Sequence, residues 1–198
     1  MSHRVIAGSA KGRKLKLVPG DSTRPIMDRV KEALFSIIGW DILDANFLDL
    51  FAGTGSVGIE ALSRGAQFAT FVDMNRSAIH TTLDNLKTTG FLEQSEVLQR
   101  NSFLLLKTSP TRPYHYIYIA PPQYKNLWID ALKTLEENPS WIHDELTVIV
   151  QIDPKELRGV ELQLKHLAIY DERTYGNTRL IFLEQKPQEA ETSSTEIG

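Results

Sequence analysis

The chain has 198 residues, 41% of them hydrophobic and 24% charged, with a net charge of −3; this bounds it to one ordinary soluble domain able to bury a sizeable core. It contains no cysteine, which excludes disulfides, thiol nucleophiles and cysteine-ligated metals. No apolar run approaches the roughly 20 residues of a membrane span, and the N-terminus lacks a signal-peptide core, so the cytoplasm is the expected compartment.

The charge is unevenly spread. Residues 1–31 hold eight Lys and Arg against Asp21 and Asp28, a balance of +6, which leaves −9 for the other 167 residues. Such asymmetry suggests contact with a polyanion, although a solvated charged face would look the same. "RVIAGSAKGRKLKLV" (4–18) carries two short β-prone runs around a Gly/Ser/Lys turn, which predicts a basic hairpin. "DRVKEALFSIIG" spaces Val30, Ala33, Leu34, Ile37 and Ile38 for an amphipathic helix that stops at Gly39.

From Asn46 the rhythm changes. "NFLDLF" predicts a buried strand, "SVGIEALSRG" a helix ending at Gly65, and "FATFVD" a second strand. "RSAIHTTLDNLKTTG" is a helix, "SEVLQR" a strand, "SFLLLKT" a short helical piece and "YHYIYI" a strand. "LWIDALKTLEE" is a helix and "LTVIVQI" a strand. Strands alternating with helices imply right-handed crossovers and a parallel sheet covered on both faces. The last two β runs join through Tyr175-Gly176-Asn177 with no room for a crossover helix, so the final strand is expected to be antiparallel. "KPQEAETSSTEIG" reads as a disordered polar tail.

"LDLFAGTGSVGIEAL" (48–62) places Gly53, Gly55 and Gly58 in a G-x-G-x-x-G between strand and helix, with Asp73 20 residues past Gly53 at the next strand end. The pattern suits a dinucleotide or S-adenosylmethionine. Asp49 bears on the choice. A carboxylate four residues before the first glycine would repel a pyrophosphate but favours a cationic amino group and sulfonium. Asp73 suits the ribose of either ligand. Asn101 and Ser102 end the third strand, where they could meet an adenine amino group or simply cap the helix that follows.

The fourth strand stops at "APPQYKN", Ala120-Pro121-Pro122-Gln123-Tyr124 and onward. In this order the chain resembles the amino-methyltransferases of exocyclic nitrogens, whose fourth strand ends in D/N/S-P-P-Y/F/W. More narrowly, "RVIAGSAKGRKLKLVPG…TRPIMDRVKEALFSII" followed by "LDLFAGTGSVGIEALSRGA" is similar to the RsmD family of bacterial methyltransferases, over residues 3–185. That family methylates a guanine N2 of small-subunit (16S) ribosomal RNA. The resemblance implies a Rossmann-like, class I S-adenosylmethionine-dependent α/β fold, with a seven-stranded mostly parallel sheet and one antiparallel strand. It also implies a basic hairpin-and-helix extension at 1–40, a catalytic domain at 41–186, a tail at 187–198, and a monomer working on ribosomal RNA or the small subunit. The cofactor residues expected are Asp49, Phe51, Ala52, Gly53, Thr54, Gly55, Asp73, Met74, Asn101 and Ser102. Ala120, Pro121, Pro122, Gln123 and Tyr124 would form the catalytic stretch, and Lys11, Arg13, Lys14, Lys16 and Arg24 would meet RNA.

The stretch departs from the family pattern. Ala120 has no side-chain acceptor, and Gln123 separates Pro122 from Tyr124. Either the Pro121 carbonyl persists and the Gln123 amide replaces the missing acceptor, or the protein binds RNA with impaired catalysis. A nicotinamide-dependent oxidoreductase is the remaining alternative. Tyr175, in "RTYGN" before Arg179, could wall the base pocket or pack in the core. His3, His80, His115, His143 and His166 lack metal-type spacing, so no metal is expected and they read as ordinary surface or strand residues. No hydrolase elbow or P-loop lysine is present.

Overall fold

The computed structural model describes residues 3–20 and 26–187. Its short apolar runs become β1 (Asn46–Asp49), β2 (Phe68–Asp73), β3 (Ser95–Gln99), β4 (Tyr116–Ile119), β5 (Thr147–Ile152), β6 (Leu167–Tyr175) and β7 (Thr178–Gln185). Among the described residues, α-helices accompany them: α1 (Asp28–Ile38), α2 (Ser56–Ser63), α3 (Arg76–Thr89), α4 (Ser102–Leu106) and α5 (Leu127–Glu137). The strands form one sheet in the order β3-β2-β1-β4-β5-β7-β6. β1 to β5 are mutually parallel, and β7 runs antiparallel between β5 and β6. The expected α/β architecture is therefore present, including the antiparallel strand that follows from the short Tyr175–Asn177 connection.

Side-chain alternation assigns the two faces. Phe47, Phe71, Tyr116, Tyr118, Ile149 and Phe182 point into one core with Leu34 and Phe35 of α1, Ile59 of α2 and Leu86 of α3. Leu48, Val72, Ile117, Val148, Val150 and Ile181 point the other way, onto Trp128, Leu132 and Leu135 of α5. Strand order reverses between β1 and β4, which open a crevice at their carboxyl ends, where open α/β sheets hold ligands.

The basic arm pairs its two runs antiparallel over a short, irregular stretch. They are joined by the antiparallel bridge of Arg4 with Lys14 and by backbone bonds from Leu15 N to the His3 carbonyl, Val5 N to the Arg13 carbonyl and Gly12 N to the Val5 carbonyl. The pairing stops at Val5 because the next backbone donors turn to α2. Ile6 and Ala7 donate to the Glu60 carboxylate at 2.8 and 2.9 Å, and Ala10 donates to Ser63 Oγ at 3.0 Å, both acceptors lying on α2. Val5 and Leu15 are buried in the core of the α1 face. The arm is thus plastered onto the sheet layer by its backbone, leaving Lys11, Arg13 and Lys14 exposed without an ion pair among the described residues. Lys16 is exposed too but pairs with Asp84 at 2.8 Å. Arg24 and nearly all of the predicted tail lie outside the described residues. Asp28 pairs with Arg4 at 3.4 Å. No helix among the described residues is long and apolar enough to cross a membrane.

Candidate active site

The crevice at the β1–β4 reversal is a cavity of about 780 Å³. Its walls include Asp49, Phe51, Ala52, Gly53 and Thr54 after β1, Asp73 and Met74 after β2, and Asn101 and Ser102 after β3. Ala120, Pro121, Pro122, Gln123 and Tyr124 close the β4 side. Residues far apart in sequence converge here because parallel strands all deliver their carboxyl ends to one edge.

The glycines divide their work. Gly53 has φ 55° and open space where a Cβ would stand, so the loop presents bare backbone. Gly58 is different: a Cβ there would lie 2.4 Å from the Phe71 ring, so its absence lets α2 seat on β2. Gly55 does not line the cavity and faces Thr82 instead, whose Cγ2 would be 2.9 Å from a Cβ. Asp73 braces the loop, accepting from Gly53 N at 2.9 Å and Asn75 N at 2.8 Å.

Asp49 is the electrostatic centre. Its side chain is fully buried and Oδ1 has no hydrogen-bond partner. Burial first, and the Asp73 charge second, push its carboxyl up to about 7, while the backbone N–H groups of Phe51 and Gly58 pull the other way. An orphaned acidic oxygen in a cavity wall fits a cationic ligand group and opposes a phosphate.

The raised pKa has a sign that can be measured. Between about pH 4 and 7 the folded protein holds a proton on Asp49 that the unfolded chain has lost, so this group's contribution to stability falls as pH rises through that window. We expect the melting temperature of Asp49→Asn minus that of the parent to grow from pH 4 to 7 and then level. A difference independent of pH would contradict the shift.

Asn101 serves as the helix cap: its Oδ1 accepts from Phe103 N at 2.9 Å and Leu104 N at 3.2 Å. Ser102 Oγ donates to the Leu50 carbonyl. Both line the cavity, but their polar atoms are largely committed to α4. Tyr124 stands at the mouth, 64% exposed, with φ 62°. This unfavourable backbone conformation is held by two bonds, Tyr124 N to Glu156 Oε2 at 3.0 Å and Tyr124 Oη to Asp153 Oδ2 at 2.8 Å. Pro121 is buried and Ala120 half-buried, while Gln123 is exposed with no hydrogen bond on its amide among the described residues.

Several functional candidates escaped the sequence reading. Tyr118 and Gln151 line the cavity, and the Tyr118 hydroxyl donates to Gln151 Oε1 at 2.6 Å. A polar residue ending the apolar run "LTVIVQI" was the available signal. His3 is not an ordinary surface residue: its Nε2 lies 2.9 Å from Thr54 Oγ1 of the glycine loop, and burial beside Lys31 lowers its pKa to about 4. His115 Nδ1 accepts from Asn46 N at 2.9 Å at the start of β1. Tyr175 does not line the cavity; it packs against the core of the α1 face. Arg179 forms an ion pair with Glu172.

Residues 3–184 match the model of a family described as conserved hypothetical protein 95. The chain is 39% identical over 179 residues to YlbH of Bacillus subtilis, covering 88% of this chain and 95% of that one. It is 36% identical over 148 residues to ribosomal RNA small subunit methyltransferase D of Escherichia coli, covering 75% and 73%. Among solved structures, the Escherichia coli protein yhhF superposes with a TM-score of 0.80 at 30% identity, over 94% of this chain and 99% of that one.

Proposed function

Because the chain belongs to the conserved hypothetical protein 95 family, the family of the RsmD-like methyltransferases, we propose that it transfers a methyl group from S-adenosylmethionine to the exocyclic N2 of a guanine in small-subunit ribosomal RNA. The observation that carries this reading is the buried, unpartnered Asp49 oxygen in the wall of a cleft that ends at Pro121-Pro122. When bound, S-adenosylmethionine supplies a methyl whose C–S bond breaks with its electron pair left on sulfur, while the guanine nitrogen forms the new N–C bond and sheds its proton to water.

The chain's own residues do the rest. Asp49 takes the cofactor's cationic end, Gly53 and its neighbours give it bare backbone, and the remaining lone pairs of Asp73 receive ribose hydroxyls. Met74, Asn101 and Ser102 bound the adenine end, Asn101 by shaping the turn into α4. The guanine amino group is a poor nucleophile because its lone pair is spread into the ring. The Pro121 carbonyl accepts one of its N–H bonds and draws the nitrogen toward a tetrahedral shape. The two prolines fix that carbonyl's direction, and Tyr124 stacks on the base, a contact worth about 1–3 kcal/mol. The base must leave its stack to enter.

Ala120 favours a second reading, an RNA-binding protein with impaired turnover, because the side-chain acceptor usual at that position is absent. Calorimetric titration separates both from an oxidoreductase. S-adenosylmethionine should bind and NAD(H) should not; tight NAD(H) binding would end the methyl-transfer reading.

The exposed cations of the arm supply contact with phosphates. Replacing Lys11, Arg13 and Lys14 together by alanine should weaken RNA binding and reduce the slope of log affinity against log salt by about 2, since each phosphate contact adds about 0.7–0.9. Cofactor affinity should stay unchanged. An unaltered salt slope in filter binding would remove the arm from the RNA interface.

A further inference from the structure

On the reading just given, the guanine amino group has two N–H bonds, and the Pro121 carbonyl serves only one of them. We propose that the Gln151 amide oxygen accepts the other, in place of the side chain that Ala120 lacks.

The sheet puts Gln151 there. Ile149 points to the α1 face of the sheet and Val148 and Val150 to the opposite one, so Gln151, two residues past Ile149, shares the face of Ile149. Tyr118 and Ala120 lie on that same face of the neighbouring strand. β4 and β5 are paired in parallel through Ile119 and Val150, which places Gln151 one step further, alongside Ala120. A methyl group at 120 leaves the space into which the neighbouring amide can extend.

The neighbouring oxygen-bearing side chains of the cavity are less suited. Asp49 and Asp73 end β1 and β2 and Asn101 lies just past β3, the side of the crevice assigned to the cofactor, and the last two already hold backbone N–H groups. The Tyr124 hydroxyl is engaged by Asp153. Gln123 is exposed with no hydrogen bond on its amide among the described residues, so using it would cost the entropy of ordering that side chain. Gln151 is already oriented. The buried Tyr118 hydroxyl donates to its Oε1 at 2.6 Å and leaves one lone pair of that oxygen for the amine. Burial holds the Tyr118 hydroxyl well above its usual pKa, so it remains a donor at every working pH. Tyr118 is then a positioning residue, and Gln151 a group that touches the substrate.

The test is single-turnover and steady-state methyl transfer to small-subunit ribosomal RNA and particles by the parent chain, Gln151→Ala, Gln123→Ala, Tyr118→Phe and Gln151→Ala with Ala120→Asn. S-adenosylhomocysteine affinity by calorimetry and melting temperature are measured alongside. Gln151→Ala should lower kcat about 100-fold, the size of loss seen when one preorganised partner of a developing charge is removed, with cofactor affinity unchanged. Tyr118→Phe should lower kcat less, again without raising the KM for cofactor, and Gln123→Ala should stay within about threefold of the parent. Adding Ala120→Asn should restore much of the rate lost in Gln151→Ala, which a merely structural defect would not allow. Retention of kcat by folded Gln151→Ala, or transfer of the loss to Gln123→Ala, overturns this assignment alone. A parent chain that methylates no RNA overturns the proposed function, and the assignment with it.

Discussion

Glu60→Gln should destabilise the fold by about 3–5 kcal/mol, the cost of stranding one charge of a buried pair. Glu60 and Lys31 are both fully buried, with Lys31 Nζ 3.4 Å from Glu60 Oε2 and donating to the Arg4 carbonyl at 2.8 Å. Burial lowers the Lys31 pKa, and the Glu60 charge is the main influence that opposes it. The same carboxylate accepts from Ile6 N, Ala7 N and Arg64 Nε, so every neighbour is a donor. A glutamine turned either way points an N–H at one of those donors and takes from the Lys31 ammonium its nearest counter-charge, leaving the weaker influence of Asp28. For a chain of this size, such a loss lowers the melting temperature by roughly 10 °C or more. The double variant Glu60→Leu, Lys31→Met should recover part of it, because buried pairs are often replaceable by packed apolar groups. A melting temperature for Glu60→Gln within about 2 °C of the parent would mean the network holds the arm by other means.

Asp49→Asn should act in opposite directions on stability and binding. Removing a carboxylate whose ionisation is opposed by burial raises the stability of the ligand-free protein above pH 7, by an amount on the order of a few kcal/mol. The same change takes away the counter-charge for the cofactor's cationic end, which should weaken S-adenosylmethionine binding about 100-fold or more, close to 3 kcal/mol. A residue kept for packing would not show this pairing of gain and loss; one kept for a ligand would. Calorimetry and thermal unfolding on the same samples read both. Equal cofactor affinity in parent and variant would assign the orphaned oxygen no part in binding.

Much of this fold was written locally. α3 begins where Asn75 caps it, through its side chain accepting from Ser77 N, and ends at Gly90; both signals are visible in "NRSAIHTTLDNLKTTG". β2 and α5 matched their sequence spans because a compact aromatic and β-branched run and a helical apolar stripe are self-sufficient signals. β1 and β4 came out shorter than the runs that predicted them, four residues each. β1 loses its last residues, Leu50 and Phe51, to the glycine loop, whereas β4 loses its first, Tyr114 and His115, and keeps its end at Ile119. What could not be read was long-range. Glu60, a charged residue in an apolar helix, is buried because Ile6 and Ala7, more than fifty positions earlier in the chain, bring backbone N–H groups to it. Asn85 is buried for the same reason. It pairs with the backbone of Lys16 and also donates to the Thr54 carbonyl at 2.9 Å, tying arm to glycine loop. No local pattern encodes such partners.

The candidate site was legible in the same proportion. Strand-end positions such as Asp49, Asp73 and Pro121 follow from spacing alone, because a parallel sheet gathers its carboxyl ends. Gln151 and His3 needed the register of β5 against β4 and the docking of the arm, which only three dimensions supply. Asn101 illustrates the intermediate case, since a residue at the right strand end spends its oxygen on capping.

The whole account turns on chemistry at one nitrogen. Unmodified small-subunit ribosomal RNA, naked and assembled into particles, incubated with the chain and tritiated S-adenosylmethionine, then digested to nucleosides, reads it directly. The expected result is label in N2-methylguanosine, lost in Asp49→Asn. Label in any other nucleoside, or cofactor binding with no label in either substrate, would contradict it.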